Sequence, residues 1–185
     1  LWEIDTLTTW ERTMAIHRLN HAVLYVSDVD RTVAFYRDVL GFRTKLAFPG
    51  AAFLQAPGST NDHDLGLFEV GNAPKQQGGS PGPGLYHLAW EVETLNDLED
   101  HLHKLADAGA LVGMSDHGTT KSLYAKDPDG IEMEIVWLIP AHLLTGDEGD
   151  GDPRPKPLDL AKEKARYGGD TRGGLGISIP VGVSL

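Results

Sequence analysis

The sequence is 185 residues long, enough for one compact domain or two small packed modules. Hydrophobic residues make up 41% and charged residues 23%, an ordinary globular composition, and no run approaches the roughly eighteen apolar residues that cross a bilayer. The net charge of −11 repels phosphate backbones, so nucleic acid is not an expected partner, and the absence of cysteine removes disulfides, thiolate metal sites and a cysteine nucleophile.

Leu1 to Thr13 has mixed charge and no apolar run, unlike a secretory leader, and Met14 is an alternative start. A cysteine-free, acidic chain fits the cytoplasm. The first strand is expected over residues 20–26, where β-branched and aromatic residues crowd. Val29, Val33, Tyr36 and Leu40 then recur at helical spacing, and Gly41 stands where a C-terminal cap belongs. Ser27 followed by Asp30 reads as a capping box for that helix. Short strand-like runs follow at 42–48, 51–55 and 65–70.

A loop rich in proline and glycine, 71–84, leads to a second copy of the same order. Residues 86–92 read as a strand. Leu95, Leu98, Leu102 and Leu105 read as a helix opened by Thr94 and Asp97 and ended by Gly109. Strand-like runs follow at 111–114, 122–126 and 131–138. The order βαβββ thus occurs twice, at 20–71 and 86–138. The expected fold class is α+β, with two βαβββ modules, 17–71 and 84–139, forming paired curved mixed sheets in a single domain over residues 1–140. The two sheets are expected to cover each other around a cleft, with the helices outside. Residues 141–185 hold nine of the 22 glycines and four of the 11 prolines and form an extended, irregular tail. There 146–157 reads as a flexible loop and 158–167 as one short helix. The remainder has no usable period and is expected to wrap the body or a neighbouring subunit.

Eight histidines need sorting. His101 and His103 fall within the second helix and are expected in solvent. His17 and His142 flank the body without pattern. His21 and His87 occupy equivalent places in the two repeats, and pseudo-symmetry would bring their imidazoles toward one axis. Imidazole ligates iron, manganese, nickel and zinc. A third ligand is sought in Glu134, which lies among apolar residues where a carboxylate is costly unless paired or metal-bound. Glu132 shares its face and competes for the role. Two histidines and one carboxylate would leave positions open for substrate and oxygen, as in non-haem iron(II) oxygenases.

Asn20-His21, with the run from Val26 through Asp28, Val29, Asp30, Phe35, Tyr36, Val39 and Leu40 to Gly41-Phe42, resembles the opening of vicinal oxygen chelate proteins. Asp127-Pro128-Asp129-Gly130 with Met133-Glu134 resembles their closing motif. The superfamily includes glyoxalase I, bleomycin-binding proteins and extradiol dioxygenases, and the resemblance covers about residues 17–139. His63-Asp64-Leu65-Gly66-Leu67, His117-Gly118 and Tyr124 resemble the catechol 2,3-dioxygenase-like branch. That resemblance implies a metal-dependent extradiol dioxygenase acting on an aromatic diol with O2. Iron(II), or manganese, would be held by His21, His87 and Glu134. His63 would handle a proton near oxygen, while His117 and Tyr124 would hydrogen-bond the ring oxygens. By the same analogy an association of two or more subunits is expected. Tyr124 precedes Glu134 by ten residues, and a short turn at 128–130 would set them opposite each other on adjacent strands. One rival is a glyoxalase I-like isomerase or lyase using nickel or zinc and Glu69 as a further ligand. The other is a non-catalytic module that binds an aromatic drug.

Overall fold

A computed structural model describes residues 18–73, 83–146, 148 and 154–174. His17, Met14 and the proposed start region lie outside the described residues. The first module runs β1 (Ala22–Val26), α1 (Val29–Asp38), β2 (Arg43–Phe48), β3 (Ala51–Gln55) and β4 (Leu65–Glu69). The second runs β5 (Leu88–Glu91), α2 (Leu95–Asp107), β6 (Leu111–Asp116), β7 (Thr120–Lys126) and β8 (Glu132–Leu138). The expected βαβββ order therefore holds in both halves. The first sheet has the order β1-β4-β3-β2, and the second has β5-β8-β7-β6 with a fifth strand at its edge. In each, the first and last strands of the module pair in parallel, and the other pairs are antiparallel.

Helix starts follow local chemistry. Thr94 and Asp97 form the expected reciprocal cap on α2: Asp97 N donates to Thr94 Oγ1 and Thr94 N donates to Asp97 Oδ2. On α1 the expected cap at Ser27 is displaced by one residue. Asp28 is extended and accepts from Arg31 N at 2.9 Å. Ser27 is occupied elsewhere, its N and Oγ both donating to Asp129 in the turn before β8. That turn ties the two modules together, since Arg31 also reaches Asp129 at 3.1 Å. Gly41, at φ 77°, and Gly109, at φ 64°, take the left-handed conformation that ends each helix.

The sheets do not cover each other face to face. On β1, Leu24 and Val26 are buried while Val23 and Tyr25 are 53% and 72% exposed. Alternation then sorts the faces. The buried face meets its own helix: Leu54, Leu65 and Leu67 lie with Val29 and Tyr36 of α1 in one core. Met133, Ile135 and Trp137 of β8 likewise share the core with Leu95, Leu98 and Leu105 of α2. Each such buried side chain contributes about 1.5–3 kcal/mol. The other face of each sheet is the open one, and it carries the candidate site. The modules meet where Phe42 packs edge-on against Trp90, with ring centroids 5.1 Å apart.

The tail is more ordered than its composition implied. Lys156–Pro157, expected as flexible loop, forms β9 and pairs with Ser115 and Asp116 of β6, meeting the hydrogen-bonding needs of an edge strand. The expected short helix is α3 (Leu160–Tyr167), capped by Asp159 and packed on α2. Residues 171–174 then cross the end of the second sheet. Gly173 N donates to Glu93 O and Gly174 N to Leu138 O, so the described part of the tail wraps the body. No helix among the described residues is long and apolar enough to cross a membrane.

Candidate metal centre

His21 and His87 keep equivalent places in the folded chain: each is the residue immediately before the first strand of its module. Both line one cavity of about 360 Å³ at the junction of the modules, together with Ala22, Ala89 and Trp90. Because β5 runs parallel to β8 and Ala89 pairs with Glu134, His87 lies one diagonal step from that carboxylate. His87 Nε2 stands 3.0 Å from Glu134 Oε2. Two ligands held about 2.1 Å from one cation at right angles stand about 3 Å apart, so this spacing suits a shared ion. The other nitrogen of His87, Nδ1, is buried with no hydrogen-bond partner among the described residues. Such an orphan is uncommon in a purely structural histidine.

His21 stands differently. Its Nδ1 lies 2.8 Å from Asn20 Oδ1. A carboxamide oxygen only accepts, so Nδ1 carries the proton and the lone pair is on Nε2, the form that binds metal. Its ring stacks on His63, with centroids 4.7 Å apart. Among the described residues no three His, Asp or Glu side chains are gathered closely enough to hold an ion as they stand. The structure brings His87 and Glu134 together and places His21, which shares the cavity with His87, beside His63.

Tyr124 pairs directly with Glu134 across β7 and β8, the register that a short turn at 128–130 requires. Its hydroxyl donates to Glu134 Oε1 over a long 3.4 Å. That leaves the phenolic oxygen to accept from His117 Nε2, 2.9 Å away. Burial, and then the Glu134 charge, push the Tyr124 phenol up to about 12, so it is a neutral donor at ordinary pH. His63 is held through Nδ1 by Asp62 Oδ2 at 3.0 Å and lies edge-on to Phe53. Glu132 shares the Glu134 face but pairs across the sheet with Lys126, farther down the strand.

Glu69 does not face the cleft. Alternation puts it on the helix side with Leu65 and Leu67, where Oε2 accepts from Val29 N at the start of α1. The cleft-side residues of β4 are Gly66 and Phe68. Gly66 has no side chain, and the Phe53 ring lies over it: a Cβ there would meet Phe53 Cε1 at 3.5 Å. His101, expected in solvent, is half-buried with Nδ1 donating to Asp97 O. His103 is exposed as expected, and His142 is exposed as well. Asn20 and Asp62, which orient two of the imidazoles, escaped the sequence reading although each precedes its histidine directly.

Two βαβββ modules, each opening on a histidine and joined beside an open cleft, define a paired-module protein. The chain belongs to the Glyoxalase/Bleomycin resistance protein/Dioxygenase superfamily, whose family model matches residues 18–135. It is 33% identical over 119 residues to biphenyl-2,3-diol 1,2-dioxygenase 3 of Rhodococcus globerulus, an alignment covering 64% of this chain and 62% of that one. It is 30% identical over 125 residues to a protein of Synechocystis named a probable lactoylglutathione lyase, covering 64% of this chain and 93% of that one. The match thus spans about three fifths of the dioxygenase but nearly all of the lyase relative. A solved glyoxylase/bleomycin resistance protein/dioxygenase domain from Frankia sp. EAN1pec shares the fold, with a TM-score of 0.56 at 24% identity over 66% of this chain and 92% of that one. The relatives it matches thus carry the names of two different reactions, a dioxygenase and a lyase.

Proposed function

We propose that this chain is an extradiol dioxygenase, opening a catecholic ring with dioxygen at a metal held by His21, His87 and Glu134. The observation that carries this reading is the continuous polar line on one cleft wall, from His117 through Tyr124 and Glu134 to His87. Two imidazoles and one carboxylate suit iron(II), or manganese, and leave positions for a diol and for oxygen. When bound, the metal supplies Lewis acidity toward the diol and electron transfer toward dioxygen.

The chain's own residues account for positioning and protons. Tyr124, a neutral phenol, donates a hydrogen bond to a diol oxygen placed beside Glu134, and His117 fixes the direction of that phenol. His63, braced by Asp62, holds or moves a proton on the His21 side of the cavity. Val23, Phe53 and Phe68 form an apolar face on the open side of the first sheet, which suits an aromatic ring. The name of the Rhodococcus relative favours an aromatic diol as substrate. The isomerase rival needs a ligand from the end of the first module, and Glu69, facing the helix side, weighs against it.

The test is direct. Protein purified without oxygen and loaded with iron(II) should convert a catechol to a yellow ring-opened product, consuming one O2 per ring. Absence of turnover across single-ring, biphenyl-type and fused-ring diols rejects the assignment. Conversion of a glutathione hemithioacetal without oxygen uptake would favour the isomerase instead.

A further inference from the structure

Lys121 is 2% exposed, which is rare for a lysine. Burying an ammonium costs several kcal/mol unless oxygens surround it. Lysine has three N–H donors, and three oxygens from three different segments stand around its Nζ. Asp116 Oδ1, at the end of β6, is 2.5 Å away, and Gly118 O, in the β6–β7 turn, is 3.1 Å away. Glu163 Oε2, from α3 of the tail, is 3.1 Å away and makes an ion pair without hydrogen-bond geometry. Asp116 Oδ1 accepts from Gly118 N as well, at 2.8 Å. The two residues that flank His117 are therefore both held by one buried ammonium.

His117 itself is exposed, and its ring meets the rest of the site through Tyr124. A residue on an exposed hairpin turn is mobile unless something holds the turn. The holding group reaches outside the paired modules: Glu163 lies beyond residues 18–135, which the family model covers. The β9–β6 pairing at Asp116 fastens the same turn from the tail side.

We propose that Lys121 and Glu163 are positioning residues: the tail helix, acting through the buried Lys121 ammonium, sets the turn that aims His117 at Tyr124. The proposal rests on the dioxygenase reading for its bearing on catalysis, but the geometry it asserts is measurable without turnover. With the Tyr124 hydroxyl donating to Glu134, the His117–Tyr124 bond requires the Nε2–H tautomer of His117, which nitrogen-15 NMR of metal-free protein reads at pH 8. His101, whose Nδ1 donates to Asp97 O far from the turn, serves as the internal control.

In the wild type, His117 should show the Nε2–H tautomer and His101 the Nδ1–H tautomer. In Lys121→Met, and in Glu163→Leu should Lys121→Met fail to fold, His117 should move toward tautomer-averaged shifts while His101 stays put. Glu163→Gln, which keeps an oxygen toward Lys121, should restore much of the wild-type signal. In the iron-loaded protein the same variants should lower kcat about tenfold with unchanged iron content and little change in KM. A folded Glu163→Leu whose His117 tautomer equals the wild type overturns the proposal. Should no variant or wild-type protein turn over any diol while the tautomer still shifts, the positioning stands and the dioxygenase reading falls.

Discussion

His87 Nε2, just before β5, and Glu134 Oε2, on the neighbouring parallel strand β8, stand 3.0 Å apart although they come from opposite ends of the second module. That contact couples the first strand of the module to its last. It also places a carboxylate, itself only partly exposed, where a cation would bridge it to imidazole.

If the pair holds a metal, Glu134→Ala should reduce bound iron from about one per chain to near zero. Glu132→Gln should leave iron content unchanged, because the carboxylate in contact with His87 Nε2 is that of Glu134. Metal analysis after desalting decides between the two carboxylates. Full iron retention in Glu134→Ala rejects the ligand set.

Tyr124→Phe removes one hydroxyl and little volume. It should leave iron content intact and lower kcat for ring opening about 100-fold, the usual size of a lost acid–base or orienting group. Oxygen-electrode kinetics measure it. A rise in KM with kcat unchanged would mean that the hydroxyl contributes only to binding.

Lys121→Met leaves the Asp116 and Glu163 carboxylates facing each other without their cation. Removing one member of a buried ionic group costs about 3–5 kcal/mol. Urea unfolding should show that loss. The double variant Lys121→Met with Glu163→Leu should recover part of it, since the tail carboxylate is then no longer stranded.

Gly173→Ala should destabilise the tail. A Cβ at Gly173 would meet Leu138 O and Trp137 Nε1 at 2.6 Å, and neither a strand carbonyl nor a buried indole can yield easily. Overpacking of this kind costs about 1–3 kcal/mol. Limited proteolysis should cut the variant after α3 sooner than the wild type, with the paired modules left intact.

Glu148 supplies a pH test. Backbone N–H groups of Thr145 and Gly146 donate to its carboxylate and hold it at about 2, below its ordinary 4.5. A depressed carboxylate stabilises the fold above the unfolded value and loses that contribution as pH falls through the folded value. The wild-type lead in thermal midpoint over Glu148→Gln should therefore be full above pH 4.5 and shrink steadily toward pH 2. A lead independent of pH over that range rejects a stabilising role for the ionised Glu148 carboxylate on the backbone N–H groups of Thr145 and Gly146.

The two-module order was legible in the sequence because hydrophobic period is a local property. Strand 51–55 and both helices appear where the apolar spacing put them, and the glycines at 41 and 109 end the helices as a left-handed residue must. The equivalence of His21 and His87 was also legible, since a repeat carries its register with it. The Tyr124–Glu134 pairing, implied by the family resemblance and compatible with a short turn at 128–130, holds in the register of β7 and β8. The placement of Glu69 was not foreseen, because which face a strand residue takes depends on which neighbours the helix covers. The Ser27 cap failed for a similar reason: a distant aspartate, Asp129, claimed the hydroxyl first.

What the sequence determined by itself is the repeated unit, its two opening histidines and the turn that brings a tyrosine opposite a glutamate. All of these arise from contacts a few residues apart. What only the tertiary structure decided is that β5 lies parallel to β8, that Glu69 faces a helix, and that the tail reaches Lys121 through Glu163. Those outcomes depend on pairings between segments distant in the chain, where no local spacing distinguishes one partner from another and burial of the whole core selects among them.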